Sequence, residues 1–106
     1  MSNAALHQLV VDAQTAGKNI LVLTGEDDRI YYMQKPTPIA IERYIATATK
    51  GKPVQAVKNL VAEMAVHPTA EELVKEFKEQ PGKMVALNSA LQASVGMNED
   101  FVTKKL

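Results

Sequence analysis

Two short β-branched and apolar runs, Asn19-Ile-Leu-Val-Leu-Thr24 and Arg29-Ile-Tyr-Tyr-Met-Gln34, flank the polar cluster Gly25-Glu-Asp-Asp28. Runs of this composition on either side of a turn read as a β-hairpin. With residues 25–28 as the turn, one face carries Ile20, Val22, Tyr31 and Met33 and the other Leu21, Leu23, Ile30 and Tyr32. Both faces are apolar, and a two-stranded ribbon is marginal by itself in water. The hairpin therefore has to be covered by other elements, and the rest of the chain offers helices. The expected class is α+β: an N-terminal helix, one antiparallel hairpin at about 19–34, then about four short α-helices.

The helical pattern starts at the N-terminus. Leu6, Leu9, Val10 and Ala13 share one stripe of a helix at about 4–16, with Ser2 or Asn3 as its cap and Gly17 at its end. After the hairpin, Thr37 is placed to cap a helix whose first position is Pro38, where a missing N–H costs nothing. Ile41, Tyr44, Ile45 and Ala48 form its stripe, and Lys50-Gly51 stops it. Pro53 begins another helix, running to Val66, with Val54, Val57, Leu60, Val61 and Met64 inward and His67-Pro68 as its stop. Thr69-Ala-Glu-Glu72 is a capping box in front of Leu73, Val74 and Phe77. Pro81-Gly82 is the next break. Met84, Leu87, Leu91 and Val95 mark a last helix with Gly96 at its C-terminal cap. Residues 1–106 read as a single domain; Ser2-Asn3-Ala4 fits a cloning scar as well as a native start, and residues 97–106 read as a partly ordered tail.

Charge and residue usage exclude several roles. Twelve basic residues balance twelve acidic ones, which argues against a protein built to neutralise phosphates or to lie on an anionic membrane. The chain contains no cysteine, so disulfides, thiolate nucleophiles and cysteine-based zinc sites are out. No apolar run approaches the roughly 20 residues that span a bilayer, and no secretion signal is evident. The cytoplasm is the expected compartment.

Candidate chemistry is sparse. His7 and His67 lie far apart with no paired-ligand spacing, so no metal site is expected. Glu26-Asp27-Asp28 lacks the alternation of a calcium loop and reads as a solvated turn. The glycines are too widely spaced to cradle phosphate. Ser89 and Ser94 fall inside a helical pattern, away from any nucleophile-elbow setting. Neither catalytic residues nor a cofactor are expected. Lys50, Lys52 and Lys58 with Tyr31 and Tyr32 make the best nucleic-acid argument, but no arginine cluster or recognition helix accompanies them. They read instead as two hairpin tyrosines, one facing each way, and lysines at helix ends, where they complement the helix dipoles.

A leftover-area argument points to a partner surface. Helices can cover one hairpin face in a two-layer domain, and the strand edges remain open to pairing; the alternative is that the first helix covers one face and the later helices the other. The expected contact region is the outward hairpin face leading into Lys35-Pro36, with candidates Ile30, Tyr31, Tyr32, Met33, Lys35 and Pro36.

From Lys18 onward the chain resembles small bacteriophage tail assembly chaperones. The resemblance is carried by the second strand running into Lys-Pro at Tyr31-Tyr-Met-Gln-Lys-Pro36, an Ala- and Ile-bearing helix at Ile39–Thr49, and an Ala/Val/Leu helix at Pro53–Val66. The Thr69-Ala-Glu-Glu72 cap, a last helix and a Lys-Lys-Leu end complete it. This chain departs from that pattern at Thr37-Pro38, often charged there, and at Met64-Ala-Val-His67, where Cys or Trp is frequent. The resemblance implies a non-enzymatic role: binding tape-measure or tail-tube proteins in the host cytoplasm during tail assembly, with self-association as a further possibility. The competing expectation is a small regulator that binds nucleic acid or another protein.

Overall fold

The hairpin closes through a turn one residue longer than the polar cluster alone implies. In a computed structural model describing residues 3–97 and 101–106, β1 (Ile20–Thr24) pairs antiparallel with β2 (Ile30–Gln34), and Thr24 faces Ile30 across the five residues 25–29. Gly25 N–H donates to the Arg29 carbonyl at 2.8 Å, and Asp28 N–H to the Gly25 carbonyl at 3.0 Å. Asp28 adopts a positive φ of 62°, a conformation that aspartate tolerates better than most residues. The extra residue matters because side chains alternate along a strand, so a one-residue slip exchanges the faces. Leu21 lies opposite Met33 and Leu23 opposite Tyr31, all directed at the core; Ile20, Val22, Ile30 and Tyr32 share the outer face. The face assignment expected from a four-residue turn is thus corrected: β1 is as expected, and β2 is turned over against it.

A third strand, which the sequence pattern missed, completes the sheet. β3 (Ala65–His67) pairs antiparallel with β2, giving the order β1-β2-β3 with β2 central. Val66 is β-branched, and His67 precedes Pro68, which disfavours helical backbone at His67. The helix expected to reach Val66 therefore ends at Met64, where Ala65 turns extended at ψ 129°. His67 sits in a strand, not in a helix-ending turn.

The described residues form five helices: α1 (Asn3–Thr15), α2 (Pro38–Thr49), α3 (Pro53–Met64), α4 (Ala70–Glu79) and α5 (Pro81–Ser94). Their boundaries follow local chemistry. Thr37 Oγ1 accepts from Ala40 N–H at 3.2 Å with Pro38 at the first helical position, and Thr69 Oγ1 accepts from Glu72 N–H at 3.3 Å. The Thr69 hydroxyl also meets the Glu72 carboxylate at 3.2 Å. Gly17 and Gly51, at φ 84° and 85°, close α1 and α2 by letting the next N–H reach back to Ala13 and Thr47. Pro81-Gly82 opens α5 and is not a break before it; Gln80 alone separates α4 from α5. Lys50 caps the C-terminal end of α2, where its charge suits the dipole, but Lys52 stands at the N-terminal end of α3, where it does not. The cap expected at Ser2 and part of the tail, residues 98–100, lie outside the described residues. Residues 101–106 are exposed and carry no helix or strand.

The core joins the inner sheet face to α3, α4 and α5. Tyr31 and Met33 meet Leu60, Val61, Met64, Leu73, Phe77, Met84, Leu87 and Leu91, with Ala40 of α2 at the margin. Each such side chain contributes about 1.5–3 kcal/mol on leaving water. Several stripe residues expected to be inward are instead exposed, namely Val54, Val74 and Ile45; Ala56 and Ala40 are buried in α3 and α2. On a short helix the buried arc is narrow, and small residues fill the closest approaches. Among the described residues helix α1 contributes none to this core, yet it contacts both outer strands, β1 and β3, which puts it across the opposite face of the sheet.

Candidate functional site

The outer face of the sheet divides into a covered end and an open end. Ile20, Tyr32 and Gln34, near where the chain leaves α1, are half-buried, whereas Val22, Thr24 and Ile30, toward the turn, are exposed. Val22 and Ile30 keep 59% and 45% of their surface in solvent, unusually high for β-branched residues in paired strands. Of the residues expected at a partner surface, Ile30 and Tyr32 lie on this face and Lys35 is exposed beyond it. Tyr31, Met33 and Pro36 are buried and offer no surface to a partner. Val22 lies opposite Tyr32 in the ladder, and a correct turn length would have placed it on the same face in the sequence.

β1 is also an edge strand. The bonds Lys35 N–H to Asn19 carbonyl at 2.7 Å and Gly25 N–H to Arg29 carbonyl at 2.8 Å fix the phase of the ladder. In an antiparallel pair, every second residue exchanges both backbone bonds with its partner, and the residues between turn theirs away. By that phase Ile20, Val22 and Thr24 direct N–H and C=O groups away from β2, and among the described residues no strand pairs with that edge. The strand contains no charge, proline or bulge, the usual guards of an open edge.

A polar cluster on the other side of the turn anchors the hairpin to the helices. Tyr31 donates its hydroxyl to Glu76 Oε1 at 2.5 Å, and Lys83 Nζ donates to Asp27 Oδ2 at 2.6 Å and reaches the Tyr31 hydroxyl at 3.5 Å. Arg29 approaches Glu76 Oε2 to 3.1 Å as an ion pair, without the alignment of a hydrogen bond. Both cations also stand over the Tyr31 ring, at 5.3 and 5.7 Å from its centre. Burial, reinforced by the Glu76 carboxylate, raises the Tyr31 pKa above the ordinary phenol value. The Lys83 hydrogen bond holds Asp27 below the ordinary carboxylate value, and Asp27 in turn raises Lys83. Asp27 also accepts from Arg29 N–H at 3.2 Å. The acidic turn is therefore more than a solvated tip: Asp27 binds the loop to α5. A cleft of 530 Å³ lies beside this cluster, between Leu23 and Tyr31 on one wall and Lys83 and Leu87 on the other.

Every cation in the cluster is matched by a carboxylate, so it offers no unbalanced charge to a substrate. Among the described residues no three His, Asp or Glu side chains come together to hold a metal ion. No helix among them is long and apolar enough to cross a membrane. A family model described as a domain of unknown function, DUF6848, matches residues 21–104. The chain belongs to the DUF6848 family. The DUF6848 span takes in the sheet and α2 to α5 and leaves α1 outside it. A solved structure of an uncharacterised protein from Bacillus stearothermophilus is similar at 26% identity and a TM-score of 0.68, over 90% of this chain and 98% of that one. No curated protein matches the chain.

Proposed function

We propose that this DUF6848 protein is a non-enzymatic binding protein of the phage tail assembly chaperone kind. It holds apolar stretches of a tape-measure or tail-tube protein in the host cytoplasm until they are built into a tail. One observation carries the reading: Val22 and Ile30 stand exposed on the open end of the outer sheet face, beside an edge strand with free backbone groups. Exposed apolar side chains next to unpaired N–H and C=O groups suit an extended apolar client, which gains main-chain bonds from the edge and side-chain contacts from the face. The element order and the Lys35-Pro36 junction that carry the resemblance to tail chaperones add to it. The polar cluster supports the role from behind, by holding the hairpin firmly against α4 and α5.

Co-purification with a tape-measure fragment tests the reading. Ile30→Glu should abolish capture while leaving stability within about 0.5 kcal/mol, since the site is exposed and away from the core. Undiminished capture by a folded Ile30→Glu protein would reject this face as the client site. Salt-sensitive retention of nucleic acid in place of a protein client would favour a regulator instead.

A further inference from the structure

We infer that the free edge of β1 pairs with β1 of a second copy of this chain, joining two three-stranded sheets into one six-stranded sheet about a twofold axis at Val22. The argument rests on the phase of the ladder and on charge placement; a second copy competes with the main chain of the proposed client for this edge, while the outer-face contact at Ile30 belongs to the client alone. Ile20, Val22 and Thr24 are the residues whose backbone groups point off the edge. Antiparallel pairing centred on Val22 sets Val22 opposite Val22 and Ile20 opposite Thr24, so that all three use their outward N–H and C=O groups. Centring on Leu21 or Leu23 would leave one of the three without a partner inside the strand.

The same alignment sets Lys18 opposite Glu26, two residues beyond each end of β1, and the twofold axis makes this happen twice. Both side chains are exposed, and among the described residues neither has an ion-pair partner within the chain. Both lie outside the strand itself, Lys18 just after the cap of α1 and Glu26 in the turn, where opposite charges brought together across the pair attract and like charges repel. A twofold contact has to be self-complementary, and here a basic residue at one end of β1 and an acidic residue at the other supply that. The apolar Ile20, Val22 and Thr24 methyl groups between them gain cover on pairing.

Sedimentation of the full chain from about 10 µM to about 1 mM tests the inference, in the range where a small interface of this type is measurable. The wild type should form a concentration-dependent dimer. Val22→Pro removes an N–H that points off the edge and takes no part in the β1–β2 ladder, so the variant should keep its far-UV circular dichroism and stay monomeric. Lys18→Glu and Glu26→Lys should each weaken the dimer at least about tenfold, and combining them should restore it to within about threefold of wild type. A wild type that stays monomeric throughout, a dimer that survives Val22→Pro, or a charge swap that fails to restore association would each overturn the inference. Client capture is scored separately on Ile30→Glu: lost capture with dimerisation intact concerns the client site, and lost dimerisation in Lys18→Glu with capture intact concerns the twofold pairing.

Discussion

Tyr31 and Tyr32 are neighbours in one strand with opposite surroundings. Tyr31 is 2% exposed, with two cations over its ring and its hydroxyl on Glu76; Tyr32 is half-buried on the outer face, opposite Val22. The residue types do not separate the two faces, since both carry aliphatic and aromatic side chains. What separates them is the number of residues in the turn and the helices that stack on each side. The inner face meets three helices and a closed polar cluster, while among the described residues the outer face meets α1 alone, at one end. The lesson is that hydrophobicity nominates a surface for burial, and geometry decides which surface receives it.

Substitutions that treat the two faces alike should give unequal results. The largest effect is expected from Met33→Ala, because the side chain is 1% exposed on the central strand. A loss of about 2–5 kcal/mol is the usual range for such a cavity, measured by urea denaturation; a loss under about 1 kcal/mol would mean that the inner face is not the core. Tyr31→Phe keeps the ring and deletes the hydroxyl, leaving the largely buried Glu76 carboxylate with Arg29 alone. It should cost about 1–3 kcal/mol, and a neutral result would show that the cluster adds nothing to hairpin docking.

A smaller and pH-limited effect is expected from the Asp27–Lys83 pair. Asp27 is depressed below 3.8 by Lys83, so its contribution is full above that value and fades as pH falls through it. Lys83 and Tyr31 are raised above 10.5 and 10.0, so their contributions are full below those values and fade as pH climbs past them. Denaturation midpoints of the wild type should therefore fall on both the acid and the alkaline side, and Lys83→Met should flatten the acid limb. An unchanged acid limb in that variant would remove Asp27 from the anchor. The smallest effect belongs to Val22→Glu, within about 0.5 kcal/mol of wild type; unfolding of this variant would show that the outer face is as much core as the inner one.

Much of the fold could be read from the residues. The α+β class, the hairpin, and the caps at Thr37 and Thr69 follow from short-range chemistry, which local sequence carries in full. Three things did not. β3 is three residues long, too short for an alternating pattern to show. The turn length depended on Arg29, which reads as strand by composition but closes the loop. The anchor joins Asp27 to Lys83 and Tyr31 to Glu76, pairs distant in the chain, and nothing local distinguishes those charges from solvated ones. Of the candidate partner residues, Ile30, Tyr32 and Lys35 stayed accessible; Tyr31 and Met33 were lost to the core by the turned-over strand, and Pro36 is buried just beyond it.

The five residues between Thr24 and Ile30 also constrain how the family can diverge. Deleting a single residue there would turn the protein inside out along β2, presenting Tyr31 and Met33 to solvent and drawing Ile30 and Tyr32 inward. Removing or inserting two would leave every side chain on its present side. DUF6848 members should therefore vary at this tip in even steps, and an odd step should come with a bulge in one strand or an exchange of hydrophobic positions along β2. The tip is thus a place where a mutation's arithmetic counts for more than its chemistry. An odd-length relative with neither change, shown by its structure to keep the same inner face, would contradict this.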